Sequence, residues 1–355
     1  MSLESCRKLL SKVVAALAVA VAVLLLSVFG AFDGRPAAAE RGPQQFLPQL
    51  GSLVFVADTL HAQKVRAHVR AVRRRHDPKP RTKPRATISL YERTTSQAVF
   101  RRQGCNAAKR GATGVVILDF GKPSYNGHTY GTILFSGAFA GNREITRAMT
   151  GYAVGYARCL PRGSQDRIAL ARGTSNYHPS VPSIYHAGRK WARETMALQR
   201  AIGARHLEEH VVSAAADDVE PAWDPSFWRT REFYRGYADS RVGHSLYNYG
   251  SLDGGIVSGI WNAHQAFYVT AGMRYARAIP EIYNRTMARE WAALAQVARY
   301  RYHRPLRFAG VMTERTPGNH GVKPRDAHRM LVRELAVQGR GDAPASVPAA
   351  YTNIR

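Results

Sequence analysis

The stretch Val211-Val212-Ser213-Ala214-Ala215-Ala216-Asp217-Asp218-Val219-Glu220-Pro221 decides how the rest of the chain is read. Six small or β-branched residues in a row suit a strand buried on both faces, and the acidic residues after them mark its exit from the sheet. In an extended strand end, side chains two apart share a side, so Asp218 and Glu220 are expected to project together. Comparable apolar runs occupy residues 115–120, 133–135, 168–171, 245–249, 266–270 and 306–312. Helix-like amphipathic stretches lie between them, at 143–157, 185–202, 225–238 and 286–300. Such alternation points to parallel βα units of an α/β protein, closing as a TIM-like (β/α)-barrel over residues 112–315. Roughly 200 residues is short against the typical figure of about 250, so some units must be abbreviated, above all between Ser245 and Thr270.

Parallel βα sheets carry their working groups at the C-terminal strand ends. The residues that follow each run are Asp119, then Asn176 and Tyr177, then Asp217, Asp218 and Glu220. Tyr247, Asn248, Tyr249 and Asp253 come next, then Glu281 and Glu314. Two carboxylates in unlike surroundings suit glycoside hydrolysis, one protonated toward the leaving oxygen and the other ionised as base or nucleophile. Glu220 is the candidate acid, with Asp218 and Asp119 as its ionised partners. Trp223 and Trp261 offer faces to sugar rings. Asn176, Tyr177, Tyr247, Asn248 and Glu281 are candidate substrate-binding groups. A structural reading competes: Asp217 and Asp218 cap the helix near Pro225, Trp223 is core, and Asn176 and Asn248 form turns.

Other chemistries find little support. His206-Leu207-Glu208-Glu209-His210 matches a zinc-peptidase string, but a strand follows at once and leaves no helix to present both ligands. There is no Gly-rich phosphate loop and no G-x-S-x-G elbow. No cofactor or metal is expected.

The segments 114–121 (GVVILDFG), 173–177 (GTSNY), 216–221 (ADDVEP), 246–250 (LYNYG) and 280–283 (PEIY) together resemble exported bacterial proteins of uncharacterised function. Those proteins carry a glycoside-hydrolase-like (β/α)-barrel. The Asp-x-Glu strand end is also similar, more weakly, to that of lysozyme-type muramidase barrels. The resemblance covers residues 104–314 and implies a barrel with a sugar site at Asp119, Asp218 and Glu220.

Residues 1–39 read as a secretory signal. Arg7, Lys8 and Lys12 precede an uncharged run over 13–32, then come Pro36 and Ala37-Ala38-Ala39. Cleavage after Ala39 is expected, with an uncleaved anchor as the alternative, because about 20 apolar residues span a bilayer. Either way the protein is expected to be secreted or extracytoplasmic. Cleavage removes four basic and two acidic residues and takes the net charge from +26 to +24. A field of that sign attracts polyanions: for an exported protein, anionic wall polymer or a membrane surface, with no nucleic acid expected. Arg outnumbers Lys by 42 to 9, however, the composition a GC-rich genome writes by default, so basicity does not name a partner. Residues 40–111 show no clean period and include a basic, proline-interrupted linker at 64–85. Cys105 and Cys159 are expected to pair in an oxidising compartment. After residue 316 a helix over 320–337 and a disordered tail over 339–355 are expected. Two functions follow: a barrel acting on or binding a cell-envelope glycan such as peptidoglycan or another polysaccharide, or a non-catalytic protein binding anionic wall polymer.

Overall fold

A computed structural model describes residues 85–355 apart from 225, 242, 317–320 and 340–342. The expected signal segment and the basic stretch up to residue 84 lie outside the described residues. Along the chain come β1 (Arg85–Tyr91), α1 (Gln97–Lys109), β2 (Ala112–Asp119) and the antiparallel meander β3 (Lys122–Tyr125), β4 (Tyr130–Ile133) and β5 (Phe139–Gly141). Next are α2 (Asn142–Cys159), β6 (Ile168–Gly173), α3 (Ile184–Gly203), β7 (Val211–Asp217), α4 (Phe227–Asp239) and β8 (Leu246–Asn248). Two short helices follow, α5 (Gly255–Ser258) and α6 (Ala263–Phe267), then β9 (Ala276–Ala278), α7 (Arg285–Gln296), β10 (Val311–Glu314), α8 (Pro324–Gln338) and β11 (Ala350–Ile354).

The main sheet has eight strands in the order β10-β11-β1-β2-β6-β7-β8-β9, every neighbouring pair parallel. Isolated parallel bridges from Ala278 to Phe308 and from Glu281 to Met312 connect its two edges. The expected α/β architecture is therefore present: a parallel sheet curled in the manner of a TIM-type barrel, with helices outside.

Strand parity sorts the core. Val115, Ile117, Ala171, Ala214, Ala216, Tyr247, Tyr249, Ile279, Met312 and Ile354 form one buried cluster inside the curl. Val116 and Leu118, of the other parity on β2, pack instead with Phe100, Ile145, Met149 and Tyr152 from α1 and α2. Small residues on β6 and β7 leave room for the two tyrosines of the β8 segment, so the interior is filled.

In the outer layer the helix pairs α1/α2 and α3/α4 pack backbone to backbone. A Cβ on Gly104 would lie 2.1 Å from Tyr152 O, and one on Gly155 2.0 Å from Arg101 O. A Cβ on Gly188 would meet Phe233 O at 2.0 Å, and one on Gly236 would meet Tyr185 O at 2.0 Å. The helix pairs α1/α2 and α3/α4 thus cross where each partner offers a glycine. The Cys105–Cys159 disulfide joins α1 to the end of α2, as expected.

Several expectations need correction. The sheet takes in β1 and β11, so the barrel unit extends beyond residues 112–315, and the segment assigned to disorder supplies a strand that pairs with β1 and β10. Residues 266–270 are helical: Asn262 accepts from His264 N and Gln265 N, and the Gln265 side chain returns to Asn262 N, a capping box that starts α6. Residues 133–135 end a hairpin strand rather than crossing the sheet. The 206–210 string forms turns, with His206 at φ 54°, and presents no helical pair of ligands.

Candidate active site

The inward parity of the strands continues into the residues after them, and this builds the site. Inward positions 115 and 117 lead to Asp119, 214 and 216 lead to Asp218 and Glu220, 279 leads to Glu281, and 312 leads to Glu314. Asp218, Glu220 and Glu281 each bring one carboxylate oxygen within 4.8 Å of the others, and all three are buried. Glu281 therefore joins the expected Asp218–Glu220 pair.

The three sit in unlike surroundings. Burial raises Glu220, but the Ser251 amide donates to its Oε1 at 2.9 Å and the Asn176 amide nitrogen donates to its Oε2 at 3.0 Å; both bonds favour the ionised form. Burial pushes Glu281 up to about 8, with the charges of Glu220 and Glu314 adding to the shift against one bond from Tyr283. Asp218 is held well above the ordinary range by burial first and then by Glu281, Glu220 and Asp119. Among the described residues its Oδ1 has no hydrogen-bond partner.

Glu220 is also placed from below. Asn248 is buried and donates from Nδ2 to Val219 O at 3.0 Å, which pins the turn carrying Glu220. A Cβ on Gly250 would lie 2.7 Å from Glu220 Cγ, so only glycine lets the β8 exit pass this close. A cavity of about 440 Å³ opens onto Asn176, Glu220, Ser251, Asp253, Glu281 and Tyr283.

Other expected site residues prove to be scaffold. Asp119 is fully buried, and both its oxygens are engaged: Gly121 N donates to Oδ1 at 2.8 Å and the Tyr249 hydroxyl reaches Oδ2 at 2.9 Å. Burial pushes it up to about 7. It stands behind the cavity and orders the turn after β2. Asp217 has the opposite parity and meets the Tyr234 hydroxyl of α4 at 2.9 Å. Neither Asp217 nor Asp218 caps α4, whose N-cap is Ser226.

The expectation that Trp223 and Trp261 face sugars is corrected. They are 0% and 3% exposed and pack on Phe233 and Phe227 within the buried core cluster, which leaves no ring face for a sugar. Tyr177 is 62% exposed. Tyr247 is buried inside the sheet.

Sequence reasoning missed Tyr91, Glu92, Ser251 and Tyr283. Tyr91 ends β1 and donates to Glu314 Oε1 at 3.3 Å, while burial pushes the adjacent Glu92 up to about 7. The alternation Thr87-Ile88-Ser89-Leu90-Tyr91 was the signal that could have found that strand.

The trio can do two things. Oxygen donors at this spacing could hold a hard divalent cation. Two carboxyls biased toward opposite protonation states can also move a proton and hold a developing positive charge.

No family model and no curated protein sequence matches the chain. Solved structures are distantly similar. A Paenibacillus cycloisomaltooligosaccharide glucanotransferase is 8% identical over 67% of this chain and 39% of its own length, with a TM-score of 0.35. A Labrenzia alexandrii putative mandelate racemase/muconate lactonizing enzyme is 12% identical over 60% of this chain and 50% of its own, with a TM-score of 0.30. A Parabacteroides distasonis sugar phosphate isomerase/epimerase is 8% identical over 75% of this chain and 97% of its own, with a TM-score of 0.32. The chain thus spans half or less of the first two. These likenesses are too distant to assign an activity. Among the described residues no helix is long and apolar enough to cross a membrane.

Proposed function

We propose that the protein is an exported, glycoside-hydrolase-like barrel that cleaves a cell-envelope glycan by a retaining mechanism. The observation that carries this is the trio of buried carboxylates within 4.8 Å at the C-terminal strand ends, two of which, Glu220 and Glu281, line one cavity. Glycosidases that retain configuration keep their two carboxyls about 5–5.5 Å apart, and those that invert leave roughly 6.5–9.5 Å for a water. The close spacing supports the first.

Roles follow from the hydrogen bonds, and they differ from those expected of the sequence. Glu220, whose ionised form the bonds from Ser251 and Asn176 favour against burial, is the nucleophile. Glu281, carrying a proton near neutral pH, donates to the leaving oxygen and then accepts a proton from the attacking water. Asp218 is itself held above the ordinary range, by burial first and then by the charges of Glu281 and Glu220, while the charges of Glu220 and Glu314 help keep Glu281 protonated. Trapping with 2-deoxy-2-fluoro glycosides on the purified protein tests this: the expected result is a covalent adduct at Glu220 with a glycan-derived reagent, and loss of turnover by about 10²-fold or more in Glu281→Gln. Undiminished turnover in both Glu220→Gln and Glu281→Gln would sink the proposal.

A further inference from the structure

We infer that a second cavity on the same face is a subsite for a carboxylate-bearing sugar unit, with the Lys122 ammonium and the Arg229 guanidinium as its anion-binding groups. The inference rests on the glycan reading of the neighbouring trio. The cavity, about 840 Å³, is bounded by Lys122 and residues 133–135 of the meander, by residues 177–181, and by Arg229 of α4.

Its charge is the reverse of the site beside it. Lys122, His178 and Arg229 line it and, among the described residues, no carboxylate does. Arg229 gives only its Nε to Asp224, at 2.9 Å, and His178 Nδ1 stands 3.6 Å from the same buried carboxylate. Among the described residues, neither the terminal guanidinium nitrogens of Arg229 nor the Lys122 ammonium has a bonded partner. Two cations with free donors in a concave site form a ready receptor for a carboxylate.

Lys122 is held there by the backbone. Gly121 sits at φ 86°, its N–H bonds Asp119 Oδ1 at 2.8 Å, and its carbonyl accepts from Ser175 N at 3.1 Å. A Cβ on Gly121 would come 2.3 Å from Ile133 O, so the turn permits no other residue. Buried Asp119 is thus a positioning residue for the subsite.

One substrate chain can occupy both cavities. Asn176 lines the first and Tyr177 the second, and consecutive residues lie only about 3.8 Å apart. Tyr91 connects them again: its ring is 4.5 Å from the ring of Phe135 in the second cavity, while its hydroxyl bonds Glu314 beside the trio. Tyr177 and Phe135 supply apolar faces for a sugar ring.

Calorimetric titration with trigalacturonate and with neutral maltotriose tests the subsite without requiring turnover. The expected result is at least tenfold tighter binding of the acidic trisaccharide. That preference should vanish in Lys122→Gln and fade between 50 and 500 mM NaCl, whereas affinity for maltotriose stays the same. Equal binding of the two sugars, no binding of either, or an acidic preference that survives Lys122→Gln would overturn the inference. The two ideas separate cleanly. Should Lys122→Gln abolish the preference while Glu220→Gln alters no glycan turnover, the subsite stands and the catalytic assignment falls. The reverse pair of results removes the subsite alone.

Discussion

Replacing Glu281 with Gln should make the protein more stable near neutral pH, by an amount that depends on pH. The folded state holds this carboxyl near 8 against an ordinary 4.5 because it is buried beside other acids. A raised folded pKa means stability that is complete below pH 4.5 and is lost as pH rises toward 8. The loss grows by about 1.4 kcal/mol per pH unit and reaches about 3 kcal/mol at pH 7. Gln has the shape of the protonated acid, keeps an oxygen for the Tyr283 hydroxyl, and cannot ionise, so it escapes that loss. For a domain of this size the gain corresponds to roughly 6–12 °C in Tm at pH 7. Paired thermal and urea unfolding of wild type and Glu281→Gln at pH 5, 6, 7 and 8 measures it. The two should differ by less than about 1 kcal/mol at pH 5 and diverge steadily as pH rises above it. A constant offset at every pH, or a variant no more stable at pH 8, would refute a buried proton on Glu281.

Asn176→Ala removes a donor from the Glu220 carboxylate, so the acid limb of any pH–rate profile should move to higher pH; an unmoved limb would show that the 3.0 Å bond does not tune Glu220. Gly236→Ala forces apart α3 and α4 at a 2.0 Å approach and should cost several kcal/mol, on the order of a strongly overpacked core, in denaturant unfolding. Converting Cys105 and Cys159 to Ser opens a crosslink spanning 54 residues and should lower stability by about 4 kcal/mol on loop entropy, read as a lower urea midpoint. Millimolar Ca²⁺ or Mg²⁺ should leave Tm unchanged if the trio works by proton transfer. A rise of several degrees would mark it as a cation site.

The sequence alone determined the β2, β6, β7 and β8 strands and the helices α2, α3, α4, α7 and α8, though not α1, because buried parallel strands and amphipathic helices write their periods directly into apolar spacing. It also placed Asp218 and Glu220 together, since two-residue alternation at one strand end is local. Local logic ran out where pairing is not local. β11, read as a disordered tail, is a strand only because β10 and β1 offer it ladders on both sides. Asp119 carries the same inward parity as Asp218, yet the local turn bond from Gly121 and the tertiary contact from Tyr249 turned it into scaffold. Tertiary structure also brought Glu281 to the pair from a strand two positions away and buried Trp223 and Trp261. It decided, through two hydrogen bonds to Glu220 and their scarcity at Glu281 and Asp218, which carboxyl favours its charge. Protonation preference depends on burial and on neighbours distant in sequence, and no spacing rule encodes either.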